Sequence, residues 1–318
     1  MSCPGSIGTG WRSNMQHSSR AVPRLLVTGS NGQVGFELRR SLAPLGEVIA
    51  LDRTTCDLLR PEALRRLVRE HRPDVIVNSA AYTAVDKAES DADTAFAVNG
   101  TAVGALAEEA CELGSLLVHY STDYVFDGTK DEPYVETDAV NPRSVYGKSK
   151  LAGEQVIAES GADALVLRTC WVAGAHGGNF AKTMLKLGGE RESLRVIADQ
   201  FGAPTTAALI ADVTAQIIAR SWLAADRTKF PSGVYHLAAD GETTWHGYAI
   251  EVLRYAAERG MKLKASPETT VAIPATEYPL PAPRPANSRL NTSKLRETFG
   301  IHLPDWRQGL HFLLDQIL

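Results

Sequence analysis

Six short apolar runs, separated by helical stretches, constrain the fold of this chain more than any other feature. The runs are LLVTG at 25, EVIALD at 47, DVIVNSA at 74, LLVHYS at 116, ALVLRT at 164 and GVYHLA at 233. Strand-like runs that alternate with helices such as PEALRRLVREH predict an α/β fold with a Rossmann-type, doubly wound parallel sheet. Such a sheet binds ligands at the carboxyl ends of its strands.

The alternation breaks after Trp171, where loops containing Gly and Pro follow, and residues 274–289 hold much of the proline of the chain. The sequence therefore predicts a smaller, C-terminal substrate-binding domain beside the sheet. The expected sheet domain comprises 22–170 and 205–240, and the expected substrate domain comprises 171–204 and 241–318.

The composition narrows the class of protein. The chain has 318 residues, 44% of them hydrophobic and 22% charged, with a net charge of -4 and no apolar run near the length of a membrane span. We expect a cytoplasmic enzyme with no nucleic-acid or membrane partner. Cys3, Cys56, Cys111 and Cys170 lack the spacing of a zinc site or a disulfide framework. Residues 1–21, rich in Ser and Gly, predict a disordered tail.

The turn after the first strand has the glycine spacing of a dinucleotide site. Gly29, Gly32 and Gly35 precede a helix, and Asp52 ends the second strand 23 residues after Gly29. Glycines let the backbone approach a pyrophosphate, whose charge is met by the helix N-terminus. A tight structural turn is the alternative interpretation.

The residues after the second strand bear on the choice of cofactor. Asp52 would hydrogen-bond an adenosine ribose and repel a 2′-phosphate, whereas Arg53 could receive that phosphate. We therefore expect NADPH to be usable and leave NADH open. Asp57 and Leu58 suit an adenine edge, and the stretch AAYT at 80 closes the third strand where the middle of the cofactor would lie.

A second group of residues has the pattern of a proton-transfer site. Tyr146 and Lys150 lie four apart on one helix face, so the ammonium can lower the pKa of the phenol and hold the nicotinamide ribose. Thr122 ends the fourth strand and would hydrogen-bond the reacting oxygen, while Asp123 and Tyr124 would line a sugar site. A solvated helix face and a hydroxyl-rich strand end that caps a turn are the alternatives.

These residues stand within longer stretches that resemble the dTDP-4-dehydrorhamnose reductases, a family of extended short-chain dehydrogenases. The resemblance runs from about Leu25 to Leu318. It includes NSAAYTAVDKAE at 78, STDYVFDGT at 121, VYGKSKLAGE at 145, NFAKTML at 179, DQFGAPT at 199, TTWHGYA at 243 and RPANSRLNTSKL at 284.

The resemblance implies reduction of the C4 ketone of dTDP-4-dehydro-L-rhamnose. Tyr146 would be the proton donor, Lys150 would tune the pKa of its phenol, and Thr122 would polarise the carbonyl. It implies cofactor contacts from Gly32, Gln33, Val34, Asp52, Asp57, Leu58, Ala81, Tyr82, Thr83 and Lys150. It also implies sugar-nucleotide contacts from Thr122, Asp123 and Trp171, although Trp171 could equally be a core residue.

The diphosphate of the sugar nucleotide needs polar partners. Arg284, Arg289 and Lys182 are candidate cations, with a solvated surface position as the alternative for each. Asn179 could cap the helix that begins NFAKTML and face the diphosphate.

The chain departs from the family at one position. Some members bridge a dimer through acidic residues and Mg²⁺; Glu37 matches one ligand position, but Ala208 stands at another and cannot coordinate a cation. Metal dependence is therefore doubtful, and a monomer or a homodimer is expected. His176, His236 and His246 lack metal-ligand spacing, so packing or loop hydrogen bonds explain them better.

Two other functions fit parts of the pattern. A non-catalytic subunit that resembles the β-subunit of methionine adenosyltransferase would keep the nucleotide pocket and serve a partner protein. An epimerase or dehydratase would act on another nucleotide sugar, although a dehydratase would need an acid/base pair beside Thr122 and the chain has no Glu there.

Overall fold

The structure is a computed structural model that describes residues 22–318. The predicted disordered tail, residues 1–21, lies outside the described residues. The strands, in chain order, are β1 (Arg24–Thr28), β2 (Glu47–Leu51), β3 (Val75–Asn78), β4 (Leu116–Thr122), β5 (Ala164–Thr169), β6 (Val172–Ala173), β7 (Leu194–Ile197), β8 (Phe201–Gly202), β9 (Thr205–Thr206), β10 (Gly233–His236), β11 (Thr243–Thr244) and β12 (Thr270–Ile273).

The α-helices lie between these strands and after the last of them. They are α1 (Gln33–Leu42), α2 (Pro61–His71), α3 (Val85–Ala88), α4 (Ala92–Phe96), α5 (Ala102–Leu113), α6 (Val145–Glu159), α7 (Phe180–Glu190), α8 (Ala207–Ile217), α9 (Trp245–Glu258), α10 (Ser293–Phe299) and α11 (Trp306–Ile317). None of the helices between residues 22 and 318 has the length and apolar content needed to cross a membrane.

The six apolar runs form one parallel sheet, which confirms the predicted fold class. The order across the sheet is β10-β5-β4-β3-β1-β2. The chain runs from β1 to β2 on one side and then crosses to β3 on the other. The carboxyl ends of β1 and β3 therefore frame the crevice in which sheets of this kind bind ligands.

Both faces of the sheet are covered because alternate strand residues point to opposite sides. Leu25 and Val27 pack in the apolar cluster that contains α1 and α8, whereas Leu26 packs in the cluster that contains α2 and α5. This arrangement accounts for the continuous apolar runs of the strands, since each strand is buried on both faces.

A separate apolar cluster joins the later part of the chain. It combines α7, α9 and α11 with β7, and β12 pairs in parallel with β7. Tyr248 and Trp306 lie at its centre, each 1% exposed. Apart from Ala239, the buried residues of the cluster come from the regions assigned to a substrate domain, and the domain boundaries stay a prediction.

Candidate active site

A cavity of about 950 Å³ lies at the carboxyl ends of β1, β3, β4 and β5. Most of the residues predicted for a cofactor or substrate site line it. They are Gly29, Gly32, Gln33, Val34, Arg53, Asp57, Leu58, Ala81, Tyr82, Thr83, Thr122, Asp123, Tyr124, Tyr146, Lys150 and Trp171. Stretches that are far apart in the sequence therefore converge on one edge of the sheet.

The glycine turn is shaped for a close approach of backbone to ligand. Gly29 has φ +67°, and a Cβ there would lie 2.7 Å from the Cα of Ala80. A Cβ at Gly35 would lie 2.1 Å from the carbonyl oxygen of Gly29, so Gly35 lets α1 pack on the turn without itself lining the cavity. In the described structure α1 has no side-chain cap at Gly32. Its first N–H groups are therefore available to an anion.

Asp52 and Arg53 occupy different places relative to the cavity. Asp52 Oδ1 accepts hydrogen bonds from the Thr54 hydroxyl at 2.7 Å and the Thr55 amide at 3.1 Å, and Oδ2 accepts one from Asn31 at 2.9 Å. The bond from the Thr54 hydroxyl contributes most to lowering the pKa of Asp52 to about 2. The carboxylate is therefore fixed within its own loop, whereas Arg53 lines the cavity.

Thr122 and Tyr146 meet beside Asp123. The Thr122 hydroxyl donates to Asp123 Oδ1 at 2.9 Å and accepts from the Tyr124 amide at 3.2 Å. Burial raises the pKa of Tyr146, the nearby Asp123 raises it further, and the Thr122 hydroxyl opposes the shift. The phenol therefore keeps its proton at neutral pH, as a proton donor requires.

Lys150 lines the cavity and is held by two residues of β4. Its Nζ donates to the carbonyl oxygen of Tyr120 at 2.7 Å and lies 3.1 Å from His119 Nε2. Burial lowers the pKa of Lys150 to about 8, and the charge of Glu154 opposes this shift. The structure differs here from the lowered phenol pKa predicted from the Tyr146–Lys150 spacing, because the ammonium is engaged by β4.

Asp123 carries a polar atom without a partner. Its Oδ2 is buried and has no hydrogen-bond partner among residues 22–318. Burial raises the pKa of Asp123 to about 6, although hydrogen bonds from Ser288 and Thr122 oppose the shift. Because Asp123 lines the cavity, this oxygen is suited to accept a hydrogen bond from a hydroxyl group of a ligand.

Trp171 forms a rigid wall of the cavity. Its backbone has φ +46°, which is rare for a residue other than glycine. The ring stacks on Trp245 with centroids 3.8 Å apart and planes at 18°. A Cβ at Gly202 would lie 2.6 Å from the Trp171 ring, so the indole is held between Trp245 and the Gly202 backbone.

The candidate cations do not line the cavity. Arg284 pairs with Asp86 at 2.8 Å, and Arg289 pairs with Glu242 at 3.0 Å and donates to Asn287 at 2.8 Å. Both guanidinium groups are therefore paired with protein groups. The charge of Arg284 also acts on Tyr124, where it opposes the rise in pKa caused by burial.

Asn179 and Lys182 also form structural contacts. Asn179 accepts from the Lys182 amide at 3.2 Å, and so caps α7 as expected. Its amide nitrogen donates to Gln33 Oε1 at 3.1 Å and to the Gly174 carbonyl oxygen at 2.7 Å. Lys182 Nζ donates to the Gly177 carbonyl oxygen at 2.8 Å.

Several polar residues of the site were not identified from the sequence. Lys87, Thr169 and Cys170 line the cavity, and Asn78 and His119 lie buried beneath it. The sequence held a signal for Asn78 and His119, because each interrupts an apolar strand run near its carboxyl end. Lys87 had no such signal, since a lysine on a short helix usually faces solvent.

Glu37, which matches a Mg²⁺-ligand position of some family members, and the three histidines considered above make contacts within the protein. Among residues 22–318 there is no group of three or more His, Cys, Asp or Glu side chains that could hold a metal ion. Glu37 forms an ion pair with Arg40 at 3.1 Å. The three histidines make packing or loop contacts: His176 stacks on Phe36, His236 Nδ1 bonds the Tyr134 carbonyl oxygen, and His246 Nε2 bonds the Thr270 carbonyl oxygen.

The sheet order, the glycine turn and the Thr122–Tyr146–Lys150 group together define a protein of the short-chain dehydrogenase/reductase class. The family model described as RmlD substrate binding domain matches residues 23–318. The dTDP-4-dehydrorhamnose reductase of Burkholderia thailandensis is 52% identical over 297 residues, which cover 93% of this chain and 99% of that protein. The chain therefore belongs to the dTDP-4-dehydrorhamnose reductase family, and the resemblance read from the sequence is confirmed.

Solved structures agree with this assignment. A dTDP-4-dehydrorhamnose reductase from Bacillus anthracis in complex with NADP has a TM-score of 0.84 and 32% identity, and covers 93% of this chain and 100% of that chain. A reductase of the same name from Clostridium acetobutylicum has a TM-score of 0.83 and 34% identity, with coverage of 92% and 98%.

Proposed function

We propose that this protein reduces the C4 ketone of dTDP-4-dehydro-L-rhamnose to dTDP-L-rhamnose, in dTDP-rhamnose biosynthesis, with NADPH as the reductant. One observation carries the proposal. Thr122, Tyr146 and Lys150 converge on a cavity that continues to the glycine turn, in a chain that is half identical to such reductases over nearly its whole length.

The residues present fit a nicotinamide dinucleotide. The backbone at Gly29 and Gly32 and the N-terminus of α1 would hold the pyrophosphate, with Gln33 and Val34 beside it. Arg53 would pair with a 2′-phosphate, which favours NADPH, and NADH stays usable because the site can bind a ribose without that pairing. The remaining cofactor contacts are assigned to Asp57, Leu58, Ala81, Tyr82 and Thr83. When bound, the reduced dinucleotide supplies a hydride.

The side chains of the chain would complete the reduction. Tyr146 donates its proton to the oxygen of the sugar ketone. The Thr122 hydroxyl exchanges its hydrogen bond to Asp123 for one to that oxygen, which it thereby orients and polarises. Lys150 remains charged, holds the ribose and stabilises the phenolate that Tyr146 becomes. The raised pKa of Tyr146 favours a phenol that is protonated before hydride transfer.

The sugar nucleotide would lie on the other side of the cavity. Asp123 Oδ2 would accept a hydrogen bond from a sugar hydroxyl. Tyr124 and the Trp171 ring would pack on the sugar. The apolar cluster of α7, α9 and α11 would form the core of the substrate-binding domain. Since Arg284 and Arg289 are paired with carboxylates, a role at the diphosphate would require each to exchange its partner.

A cytoplasmic location forms part of this proposal. Cys56, Cys111 and Cys170 carry free thiols in the structure, as a reducing compartment permits. A monomer or a homodimer is compatible with the site, because the proposed groups all come from one chain.

Stoichiometric turnover tests the proposal. The purified chain, supplied with NADPH and dTDP-4-dehydro-L-rhamnose, should oxidise one NADPH for each dTDP-L-rhamnose formed. Absence of NADPH oxidation would overturn the reductase assignment and favour a regulatory subunit. Product formation without net oxidation would point to an epimerase instead.

Tyr146→Phe provides the matched control. The substitution removes one phenolic oxygen, so turnover should fall by roughly 10²- to 10⁴-fold. NADPH binding, measured by fluorescence titration, should persist because the glycine turn is intact. Turnover at the rate of the unmodified protein would remove Tyr146 from the mechanism.

A further inference from the structure

Three neighbouring strands, β1, β3 and β4, each place one buried polar side chain at the same level of the sheet. Thr28 on β1 is in register with Asn78 on β3, and Asn78 is in register with His119 on β4. Each of these residues is at most 1% exposed. Lys150 of α6, 2% exposed, lies at the β4 end of the row. We call these four residues the polar row.

The polar row is continuous. Thr28 Oγ1 lies 2.6 Å from Asn78 Oδ1, and Asn78 Nδ2 lies 3.0 Å from His119 Nδ1. His119 Nε2 lies 3.1 Å from Lys150 Nζ, which also donates to the Tyr120 carbonyl oxygen. A buried chain of hydrogen bonds therefore leads from the first strand of the sheet to the ammonium of Lys150.

The donor and acceptor roles in the row are linked. An ammonium has three donors and no acceptor, so a charged Lys150 requires His119 Nε2 to accept. Burial and the charge of Lys150 lower the pKa of His119 well below its ordinary value, so its ring is neutral and the proton must then lie on Nδ1. Nδ1–H in turn requires the oxygen of Asn78. The Asn78 amide must then be turned over from the orientation in the structure, where Thr28 donates to Oδ1 and Nδ2 faces His119, so that its amino group donates to Thr28.

The opposite arrangement belongs to a neutral lysine. If Asn78 Nδ2 donates to His119 Nδ1, the ring proton lies on Nε2 and points at Lys150 Nζ. Two donors would then face each other unless Lys150 is an uncharged amine that can accept. The tautomer of His119 and the orientation of the Asn78 amide are therefore tied to the charge of Lys150.

We propose that His119 is a positioning residue for Lys150. It accepts one N–H of the ammonium, the Tyr120 carbonyl oxygen accepts the second, and the third is left directed at the cavity, where Tyr146 also lies. Loss of the Lys150 proton reverses the row, with the ring proton moving to Nε2 and the Asn78 amide turning over. This inference rests on the proposed function for its kinetic consequence, but the row itself does not depend on it.

Other charges around Lys150 are few and identifiable. Among residues 22–318, Glu154, one turn further along α6, acts on Lys150 through its charge and is paired with Arg168 of β5 at 2.6 Å. Asp123, which follows β4, acts on Tyr146. Substitutions at His119 leave these groups in place, so their effects can be assigned to the row.

Two variants of His119 separate hydrogen bonding from packing. In His119→Gln the side-chain amide reaches the position of Nε2 and retains an acceptor for Lys150, whereas His119→Leu retains bulk and removes the acceptor. NADPH oxidation with dTDP-4-dehydro-L-rhamnose is measured from acid to alkaline pH, after circular dichroism shows that each variant is folded. In the leucine variant kcat should fall roughly tenfold, and the alkaline limb should move about one pH unit lower, because a hydrogen bond to a charged group is lost.

The glutamine variant should keep the alkaline limb of its pH profile near that of the unmodified protein. In the leucine variant kcat should fall while the KM for the sugar nucleotide stays near that of the unmodified protein. A folded leucine variant with an unmoved alkaline limb would overturn the proposal. Equal losses in both variants would do the same, because they would show that packing alone matters.

A measurement on the unmodified chain tests the row without turnover. In protein labelled with ¹⁵N at histidine, the His119 signals are assigned by their loss in His119→Leu, or in His119→Gln if the leucine variant does not fold. Near neutral pH they should report a neutral ring with the proton on Nδ1, and they should change as Lys150 titrates. A ring protonated on Nε2, or charged, at neutral pH would overturn the proposal. An inactive enzyme with the expected tautomer would instead count against the proposed reaction.

Discussion

At the scale of single residues, the site holds two buried charges whose pKa values are both shifted toward neutrality. Burial raises the pKa of Asp123 to about 6 and lowers that of Lys150 to about 8. The carboxylate and the ammonium therefore coexist, beside the protonated phenol of Tyr146, between about pH 6 and pH 8. The proposed chemistry requires all three of these states, so activity should be highest within that window.

Asp123→Asn should make the protein more stable at neutral pH and less active. The folded pKa of about 6 exceeds the ordinary value of 3.8, so the folded state binds more protons between these values and stability falls as pH rises through them. Above pH 6 the folded state bears the full free-energy cost of the buried Asp123 carboxylate, and the neutral amide of asparagine removes that cost. Urea denaturation should show a gain of about 1–3 kcal/mol at neutral pH, which disappears below about pH 4.

Asp93→Asn serves as the control, because Asp93 is exposed on α4 and does not line the cavity. It should show little change at either pH. If Asp123→Asn is no more stable than the unmodified protein at neutral pH, the Asp123 carboxylate does not bear the penalty that its burial implies.

Most of the residues predicted for the site line the cavity, but their contacts were not predicted. The motifs around Gly29, Thr122 and Tyr146 depend on short-range spacing, which a sequence displays directly. Asp52 accepts from Asn31 of the glycine turn, and Lys150 is held by His119 and Tyr120 of β4. Such contacts follow from packing, which no spacing within one segment can reveal.

At the scale of elements, a buried ion pair joins α6 to β5 behind the reactive edge. Arg168 Nη2 lies 2.6 Å from Glu154 Oε2, with both side chains 5% exposed. The Ser121 hydroxyl donates to Glu154 Oε1, and the Arg168 guanidinium lies over the Phe126 ring at 5.0 Å. The helix that carries Tyr146 is thereby fixed to the sheet.

Breaking this pair on one side should be costly. Arg168→Met leaves the Glu154 carboxylate buried without its partner, so the free energy of unfolding should fall by about 3–5 kcal/mol. Adding Glu154→Gln should restore a large part, because the amide is neutral and can still accept from Ser121. Urea denaturation of both variants measures this difference. A single variant that loses less than the double variant would contradict the account.

The main elements were predictable because strands buried on both faces appear as apolar runs. The shorter elements were not. Strands of two residues such as β6 and β9 pair only because the tertiary fold brings them together. The π-helical turn Ala97–Thr101 between α4 and α5 places Asn99 against Tyr82 and Ser149, a contact set by packing and not by helical periodicity.

At the scale of the whole molecule, the glycine turn is tied to the segment that follows β6. Gln33 Oε1 accepts from the Gly174 amide at 2.8 Å and from Asn179 Nδ2 at 3.1 Å. The start of α1 and the start of α7 are therefore held together at the cavity. Cofactor and substrate sites should be coupled through this contact.

Gln33→Leu tests the coupling. Loss of the acceptor leaves the Gly174 amide and Asn179 without this partner, so both the Kd for NADPH and the KM for the sugar nucleotide should rise, each by roughly tenfold. Fluorescence titration and steady-state kinetics measure the two constants. A rise in one constant alone would show that the two sites are independent.

The central claim is that the cavity brings a reduced nicotinamide and a sugar ketone together beside Tyr146. Transfer of deuterium from NADPH that carries deuterium at both C4 positions of the nicotinamide ring tests this directly. Hydride transfer to the sugar ketone should give dTDP-L-rhamnose with one deuterium, on C4 of the sugar, for each labelled cofactor oxidised. Product without deuterium at C4 would contradict it.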